Sequence, residues 1–419
     1  MVLSCPGRPR RGGHGGHAPF YGTFARARAI PKVWRCYSLP IMNASVAAPT
    51  TPRADLSRAA WPRAARPRGL YDLSLPELEN QVLSLGFPAY RARQLWHWAY
   101  RHYVTGYPEM ANIPAAMRDA LASEVPFSLL EPVRSIASHD GETIKTLYRT
   151  GDNQVLETVL MLYRNRATVC VSCQVGCAVG CAFCATGLMG LARNLGAGEM
   201  VAQVVGAARD ARRCSRELTN IVMMGMGEPL QNYVEVMKFI GIVHDPNGLN
   251  IGSRRITVST SGIVPKIDAL AEEPLQLNLA ISLHAPVDEL RSQLVPINRR
   301  YSIATLMAAV DRYIVKTGRR VSFEYALMRG INDSDHTARE LAALLRGRLC
   351  HVNIIPLNPV DVLPYERPDP DSIERFAGTL RAAAIPTTVR YSRGLDIDAA
   401  CGQLRANELG ASAASRMPS

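Results

Sequence analysis

The 419-residue sequence contains no run of about 18 consecutive apolar residues, so it predicts no membrane-spanning helix. Its ten cysteines lack the paired spacing of a disulfide framework, which favours a reducing compartment. No second Cys/His pair follows the cysteine-rich segment at zinc-finger distance, and no tandem repeat is apparent. We therefore expect two or three domains and a cytoplasmic location, without membrane contact.

Positive charge is concentrated at the N-terminus. Residues 1–68 contain 12 Lys and Arg and one acidic residue, Asp55, whereas the rest of the chain contains 36 basic and 35 acidic residues. Residues 1–70 also lack an apolar period, which predicts a disordered basic tail. An RNA-binding arm, a transit peptide and an over-long start, with Met42 as a later one, are alternatives to the dispensable tail that we favour.

The residues after the tail have helical and then strand patterns. Helices are predicted at 73–86, 88–103 and 114–124, and they form an N-terminal helical accessory module at 71–129. Turn signals then separate strands in a strand-rich connector at 130–162. Within it, Glu157 interrupts an apolar run, and this position alone favours the solvent-facing side of a strand.

From Ala167 onward, strand and helix patterns alternate. Strands are predicted at 167–172, 219–224, 255–260, 276–283, 320–327, 350–355 and 387–391. Helices are predicted at 198–212, 232–244, 263–272, 302–317, 334–346 and 371–384. Such alternation implies parallel strands with crossover helices, and therefore an α/β fold that is an open sheet or a partial barrel.

Distinctive residues follow these strands one after another. The strands lead into the cysteine segment, GMGEP (225–229), STSG (259–262), SLHAP (282–286), MRGIND (328–333) and LNP (357–359). Catalytic groups of parallel α/β barrels lie at the carboxyl ends of the strands. The motifs therefore predict one site along a single rim.

The cysteine segment, residues 170–190, contains the spacing Cys-x3-Cys-x2-Cys at Cys177, Cys181 and Cys184. A structural zinc site usually needs four protein ligands. Three cysteines on a [4Fe–4S] cluster would leave the fourth iron open to bind a substrate. We therefore interpret the three cysteines as cluster ligands rather than zinc ligands or disulfide partners.

The other rim residues have the chemistry needed to bind a polar ligand. Glycines such as Gly227 allow the backbone to approach a ligand closely, and Glu228 can accept a hydrogen bond from an ammonium or a ribose hydroxyl. Neutral donors and acceptors are available at Ser259, Ser282 and Asn358. For His284, which follows Leu283, a structural role is at least as well supported as a catalytic one.

Cys401 lies between small residues after the last predicted strand. Most free cysteines are buried structural thiols, and that interpretation applies here too. A thiol on such a segment could instead enter the site and act as a nucleophile.

Taken together, these motifs resemble the dual-specificity RNA methyltransferases of the radical S-adenosylmethionine (SAM) superfamily. The resemblance covers residues from about 71 to 404. It is carried by CVSCQVGCAVGCAFC, VMMGMGEPL, TVSTSG, ISLHAPVDELR, VPINRRY, NIIPLNP and RGLDIDAACGQL. It implies a partial (β/α)6 radical SAM barrel with a core at 163–395, followed by a C-terminal segment at 396–419 that carries the reactive cysteine.

The resemblance also implies roles for individual residues. Cys177, Cys181 and Cys184 would hold the [4Fe–4S] cluster. SAM would contact Gly227, Glu228, Ser259, Ser282, Leu283, His284 and Asn358. Cys401 would carry a methyl group, Cys170 would resolve the covalent adduct, and Glu157 would accept a proton, which replaces the solvent-facing interpretation. Cys173 departs from the family pattern and leaves the thiol assignments open.

The implied reaction methylates C2 of one adenosine in 23S rRNA and of the adenosine 3′ of the anticodon in tRNAs. It consumes two SAM molecules per turnover and needs a reductase or a flavodoxin-type electron donor. A monomer is expected. Methylation of adenine C8 by the sister group and a non-catalytic iron–sulfur RNA-binding protein are the alternatives.

Overall fold

The computed structural model describes residues 67–360 and 363–404. The predicted tail lies outside the described residues up to residue 66, and the C-terminal segment does so from residue 405. The described residues all belong to one compact unit. The domain boundaries drawn from the sequence therefore stay predictions.

The three N-terminal helices form where the sequence predicts them. They are α1 (Leu75–Ser84), α2 (Tyr90–His97) and α3 (Ala115–Glu124). At the start of α1, the Ser74 hydroxyl accepts a hydrogen bond from the backbone N–H of Glu77, and the Glu77 carboxylate accepts one from the N–H of Ser74. This reciprocal capping satisfies two N–H groups that have no partner inside the helix. A π-helical turn, Trp98–His102, extends α2.

Two sheets contain the twelve strands of the described residues. The strands are β1 (Leu130–Ala137), β2 (Thr143–Thr150), β3 (Val155–Tyr163), β4 (Arg166–Cys170), β5 (Gln174–Gly176), β6 (Leu191–Asn194), β7 (Leu218–Met223), β8 (Ile256–Thr260), β9 (Asn278–Ser282), β10 (Val321–Leu327), β11 (Cys350–Pro356) and β12 (Thr387–Val389). The larger sheet has the order β1-β2-β3-β4-β7-β8-β9-β10-β11-β12, and β5 pairs with β6.

The larger sheet has an antiparallel part and a parallel part. Strands β1 to β4 pair antiparallel, whereas β4 and β7 to β12 pair parallel. The connector strands therefore continue the sheet of the core instead of forming a separate layer. Each strand predicted between residues 167 and 391 is present.

Helices connect the parallel strands. They are α4 (Ala185–Leu188), α5 (Ala197–Arg213), α6 (Tyr233–His244), α7 (Val264–Glu272), α8 (Asp288–Leu294), α9 (Ile303–Thr317), α10 (Asp335–Leu345) and α11 (Pro370–Ala382). Six of them were predicted, and the short α4 and α8 were not. The prediction of a partial α/β barrel is confirmed, because β1 and β12, the first and last strands in the order, are not paired with each other.

The segment after β12 crosses the gap that this open barrel leaves. Arg393 forms an ion pair with Glu142, next to β2, and the Asp396 carboxylate accepts a hydrogen bond from the backbone N–H of His139 at 2.7 Å. The chain is thereby directed toward the interior of the barrel at Cys401.

In the described part of the chain, no helix combines the length and the apolar character needed to cross a lipid bilayer.

Candidate active site

Two neighbouring cavities lie inside the barrel. The first, which we call the rim cavity, has a volume of about 170 Å³. Its wall includes Cys177, Cys181, Cys184, Gly227, Glu228, Ser259, Ser282, His284, Glu324, Asn358 and Cys401. The second, the inner cavity, has a volume of about 480 Å³. Its wall includes Thr168, Cys170, Asn353, Arg390 and Cys401. Cys401 thus belongs to both walls, and most of the predicted site residues meet at the first.

The three cysteines of the motif lie on the loop between β5 and α4. The loop is fixed by backbone hydrogen bonds, from the Cys177 N–H to the Gly190 carbonyl at 2.7 Å and from the Ala182 N–H to the Leu294 carbonyl at 3.0 Å. Burial raises the pKa of the Cys177 thiol to about 12, and the neighbouring Glu228 and Cys184 add to the shift. A group of half-buried thiols facing one cavity becomes stable as thiolates when a metal centre neutralises their charge.

The three cysteines present an all-sulfur donor set to the rim cavity. In the described residues, no three His, Cys, Asp or Glu side chains are arranged to hold one metal ion. A cubane distributes its cysteine ligands over separate iron atoms, so its thiolates lie farther apart than those around one ion. The all-sulfur donor set on one cavity wall therefore fits a [4Fe–4S] cluster.

In the GMGEP segment (225–229), the Glu228 side chain already has hydrogen-bond partners within the protein. Both Glu228 carboxylate oxygens accept hydrogen bonds, one from the Leu230 N–H at 3.0 Å and the other from the N–H and the hydroxyl of Ser261, both at 2.7 Å. Burial raises the pKa of Glu228, and the Ser261 hydrogen bonds act in the opposite direction. Further donors from a ligand would have to share these oxygens.

The glycines of this motif serve a purpose that the sequence analysis did not give. A Cβ on Gly225 would lie 2.8 Å from the Ser172 hydroxyl oxygen, and one on Gly227 would lie 2.6 Å from the Gln174 Cβ. Gly227 also has a φ of +108°. The close approach that requires glycine is therefore to the strand leading into the cysteine loop, not to a ligand alone.

Ser259 and Ser282 line the rim cavity, whereas Leu283 lies in the hydrophobic core. The hydroxyl oxygens of Ser259 and Ser282 lie 3.5 Å apart on the wall of the rim cavity. Leu283, in contrast, is fully buried in the hydrophobic core and is absent from that wall. Its expected contact with SAM could only involve its backbone.

His284 is a buried neutral imidazole. Its Nδ1 accepts a hydrogen bond from the Ala326 N–H at 2.9 Å, and its ring packs against Phe183 of the cysteine loop at 4.7 Å between centroids. Burial lowers the pKa of His284 to about 3, and Arg291 lowers it further. Its φ of +62° is uncommon for a residue other than glycine. These contacts agree with the structural role that the sequence left open.

Asn358 links the site to the carrier segment. Its amide donates to the Ser392 hydroxyl at 2.8 Å and to the Cys401 carbonyl at 3.1 Å, and its oxygen accepts from Arg367 at 3.1 Å. All of its side-chain polar atoms therefore have protein partners, and they fix the backbone of Cys401.

Arg291 is a residue that the sequence analysis did not single out, although it lies within the motif ISLHAPVDELR. It is completely buried, and its guanidinium donates to four oxygens. These are the carbonyls of Ser261 (2.6 Å), Ser282 (3.2 Å) and Leu283 (3.1 Å) and the side chain of Asn298 (2.8 Å). Arg291 therefore ties the residues after β8 to those at the end of β9. An arginine among apolar helix positions was the available signal.

Cys401 and Cys170 face the inner cavity together. Burial raises the pKa of the Cys170 thiol to about 12, and the charge of Cys401 contributes to that rise. Burial also raises the pKa of Cys401, whereas the guanidinium of Arg390 lowers it. Both cysteines are free thiols. Cys173 is buried in the core and lines neither cavity, although the charges of Cys177 and Cys170 contribute to the raised pKa of its thiol.

Glu157 is 2% exposed, so the solvent-facing position favoured by its sequence pattern was wrong. The pattern was misleading because β3 lies between β2 and β4, with the C-terminal segment over its end. Its carboxylate forms an ion pair with Lys145 of β2 at 3.2 Å. Glu157 shares the face of β3 with Val159 and Met161, which line the inner cavity.

The models of two known families match two separate segments of the chain. The model of the radical SAM superfamily matches residues 171–342. The model of the ribosomal RNA large subunit methyltransferase N-terminal domain matches residues 69–126.

Curated relatives and a solved structure match almost the whole described chain. A probable dual-specificity RNA methyltransferase RlmN of Alkaliphilus oremlandii is 47% identical over 81% of this chain and 98% of its own length. A relative with the same description from Chloroflexus aurantiacus is 49% identical over 80% of this chain and 92% of its length. The crystal structure of a radical SAM methyltransferase from Sphaerobacter thermophilus is 63% identical, with a TM-score of 0.81, and covers 81% of this chain and all of that one.

Proposed function

This chain belongs to the RlmN family of dual-specificity RNA methyltransferases, within the radical SAM superfamily, and we propose its function from that membership. The chain is thus an enzyme, a radical SAM methyltransferase that acts on rRNA and tRNA. Its product is C2-methyladenosine, formed at one adenosine of 23S rRNA and at the adenosine 3′ of the anticodon in tRNAs. The sequence motifs that carry the family resemblance fit the adenine-C2 methyltransferases more closely than the adenine-C8 methyltransferases.

One observation carries this proposal, namely the position of Cys401 on the walls of both cavities. On one side are the cluster cysteines and the residues expected to contact SAM. On the other side is Cys170, which can react only with a thiol that it reaches. A carrier between a methyl source and an acceptor base needs such a shared position.

The residues present fit the two cofactors. Cys177, Cys181 and Cys184 would hold the [4Fe–4S] cluster, and the rim cavity would take SAM. When bound, the cluster and SAM supply reductive cleavage of SAM and thereby activate the methyl group on Cys401. Ser259 and Ser282 offer hydroxyls toward SAM, whereas Glu228 and Asn358 mainly hold the surrounding backbone.

Two SAM molecules are consumed per turnover in this scheme. One would provide the methyl group that Cys401 accepts, and the other would supply the radical chemistry that activates this group on Cys401. The carbon then bonds to adenine C2, which is electron-poor because it lies between two ring nitrogens. A protein–RNA bond joins Cys401 to the base at this stage.

The inner cavity supports the remaining steps. Glu157 removes the proton from C2, and the neighbouring Lys145 stabilises its carboxylate form before that transfer. Cys170 then attacks the Cys401 sulfur, which releases the methylated RNA and leaves a disulfide. The target adenosine must be unstacked to enter, as is usual for enzymes that act on a base.

Further expectations concern partners. A reductase or a flavodoxin-type protein supplies electrons, the enzyme acts as a monomer, and it works in the cytoplasm. The helices between Leu75 and Glu124 provide an additional RNA contact.

Mass spectrometry of nucleosides from 23S rRNA and tRNA tests the proposal in cells with and without this protein. C2-methyladenosine that is lost from both RNA classes on deletion supports it. C8-methyladenosine as the product would place the enzyme in the sister group. Unchanged methylation of both RNA classes, with an intact cluster in the purified protein, would favour a non-catalytic RNA-binding protein.

A further inference from the structure

Methylation of Cys401 requires a proton acceptor. The thiol must lose its proton when its sulfur takes the methyl group of SAM, and burial makes that loss unfavourable by raising the pKa of Cys401. Among the described residues, Arg390 and Glu324 are close enough to Cys401 to act on this pKa, which Arg390 lowers and Glu324 raises. Because SAM would lie in the rim cavity, an acceptor on the wall of this cavity would be next to the reacting sulfur.

Two candidate bases on this wall are already committed to other contacts. The oxygens of Glu228 accept three hydrogen bonds from Leu230 and Ser261. The Nδ1 of His284 accepts from Ala326, so its Nε2 carries the hydrogen and cannot accept another. Neither residue is free to take a proton from a thiol.

Glu324, which the sequence analysis did not mention, is different. It lies on β10 opposite Ser282 of β9 and lines the rim cavity with Cys401. The residue is 4% exposed. Its Oε1 accepts a hydrogen bond from the Asn353 amide at 2.9 Å, whereas its buried Oε2 has no hydrogen-bond partner among the described residues.

A buried carboxylate oxygen without a donor is costly, so such an atom in a cavity wall marks a place where a proton or a donor is expected. Burial raises the pKa of Glu324, while Asn353 and Arg390 act in the opposite direction. The result is a stronger base than an exposed carboxylate. Glu324 is also close enough to Cys401 for its charge to raise the pKa of that thiol.

We propose that Glu324 accepts the thiol proton of Cys401 while the Cys401 sulfur takes the methyl group of SAM. The Cys401 S–H bond breaks and its proton moves to Glu324 Oε2. The bond between sulfur and the methyl carbon forms as the corresponding bond in SAM breaks, and the electron pair remains on S-adenosylhomocysteine. The step needs no external oxidant or reductant. Glu324 returns the proton to solvent before the next transfer. The inference rests on the carrier role of Cys401 in the proposed function.

The test uses the reconstituted holoenzyme with SAM carrying a CD3 group and without reductant. The rate of label entry into the Cys401 peptide is followed by mass spectrometry at saturating SAM. Glu324→Gln should slow labelling at pH 7 by about 100-fold or more, with unchanged SAM affinity and cluster absorbance. Glu324→Asp should restore part of the rate. Glu289→Gln, an exposed position on α8, is the matched control and should label at the wild-type rate.

The pH profile separates proton transfer from packing. As pH rises from 7 to 9, the rate of the Gln variant should increase about tenfold per pH unit and approach the wild type, because the thiolate fraction of Cys401 then grows without a base. A deficit that stays constant with pH, a labelling rate equal to wild type at pH 7, or a loss confined to SAM affinity would each overturn the inference. An unlabelled Cys401 in the wild type would instead contradict the proposed carrier.

Discussion

The side-chain amide of Asn358 donates a hydrogen bond to the backbone carbonyl of Cys401 at 3.1 Å. Asn358 follows β11, and its hydrogen bond holds the backbone of the proposed carrier Cys401 in place in the barrel. A residue expected to bind SAM is thus a support for the reactive segment.

Replacement of Asn358 by Ala should loosen the Cys401 segment without unfolding the barrel. Hydrogen–deuterium exchange should increase in residues 399–404, and the stability cost should be about 1 kcal/mol for the lost hydrogen bonds. The exposed Asn247→Ala is a matched control that should leave exchange unchanged. Exchange at 399–404 that stays at the wild-type level would show that other contacts position Cys401.

Cys401→Ala should abolish RNA methylation and leave the cluster intact. The variant retains the three motif cysteines, so iron content and visible absorbance after anaerobic reconstitution should equal those of the wild type. Nucleoside mass spectrometry of treated RNA measures the loss. Methylation at the wild-type level by this variant would remove Cys401 from the mechanism.

Cys170→Ala should trap the covalent intermediate. Without the second thiol, the bond between Cys401 and the base has no route to resolution, so a protein–RNA band should accumulate on a denaturing gel. The double variant that also lacks Cys401 should form no such band. A single variant that yields no adduct while its cluster is intact would argue against the resolving role.

Stability should fall with acidification partly because of His284. The unfolded chain binds a proton on this ring below about pH 6.5, whereas burial lowers the pKa in the folded protein to about 3. The unfolded state therefore binds more protons between these values, and the ring should cost about 2 kcal/mol of stability between pH 6.5 and pH 5.

The variant His284→Asn isolates this contribution. Asn places an acceptor near the Nδ1 position and tolerates a positive φ, but it does not titrate. Urea unfolding at pH 5 and pH 7.5 should show a smaller difference for the variant than for the wild type. Equal pH dependence in both proteins would refute the assignment.

Gly227→Ala should destabilise the site more than a glycine change in open space. The added Cβ would meet Gln174 at 2.6 Å, and the φ of +108° is unfavourable for Ala. Gly330→Ala is the control, since its φ is +67° but a Cβ there would have no neighbour within 4 Å. The control should lose about 1 kcal/mol in thermal unfolding, and the Gly227 variant should lose more. Equal losses would mean that the contact with Gln174 relaxes.

The sequence predicted the parallel strands and the site on their rim because both depend on local patterns. Apolar runs mark buried strands, and the motifs that follow them have to meet at one edge of the sheet. Helix α8 was not predicted, since seven residues are too few for a helical period to emerge. The motif residues were thus found, but not all of their contacts.

Contacts between distant segments could not be predicted from the same patterns. The strand pattern alone favoured a solvent-facing Glu157, because its neighbours along the chain do not reveal β2 and β4 on either side, and only the family resemblance replaced that interpretation. Arg291 and Glu324 were not recognised because their partners lie on other strands. The shared position of Cys401 likewise depends on the gap that the open sheet leaves.

That gap is closed by contacts between residues far apart in the chain. Asp396 and His139 are separated by 257 positions, and Cys401 follows the cluster cysteines by more than 200. During synthesis the cysteine loop therefore leaves the ribosome well before the carrier thiol does. A nascent chain can fold around its iron site while it is still unable to form a bond with any nucleotide, including those of the ribosome that is making it.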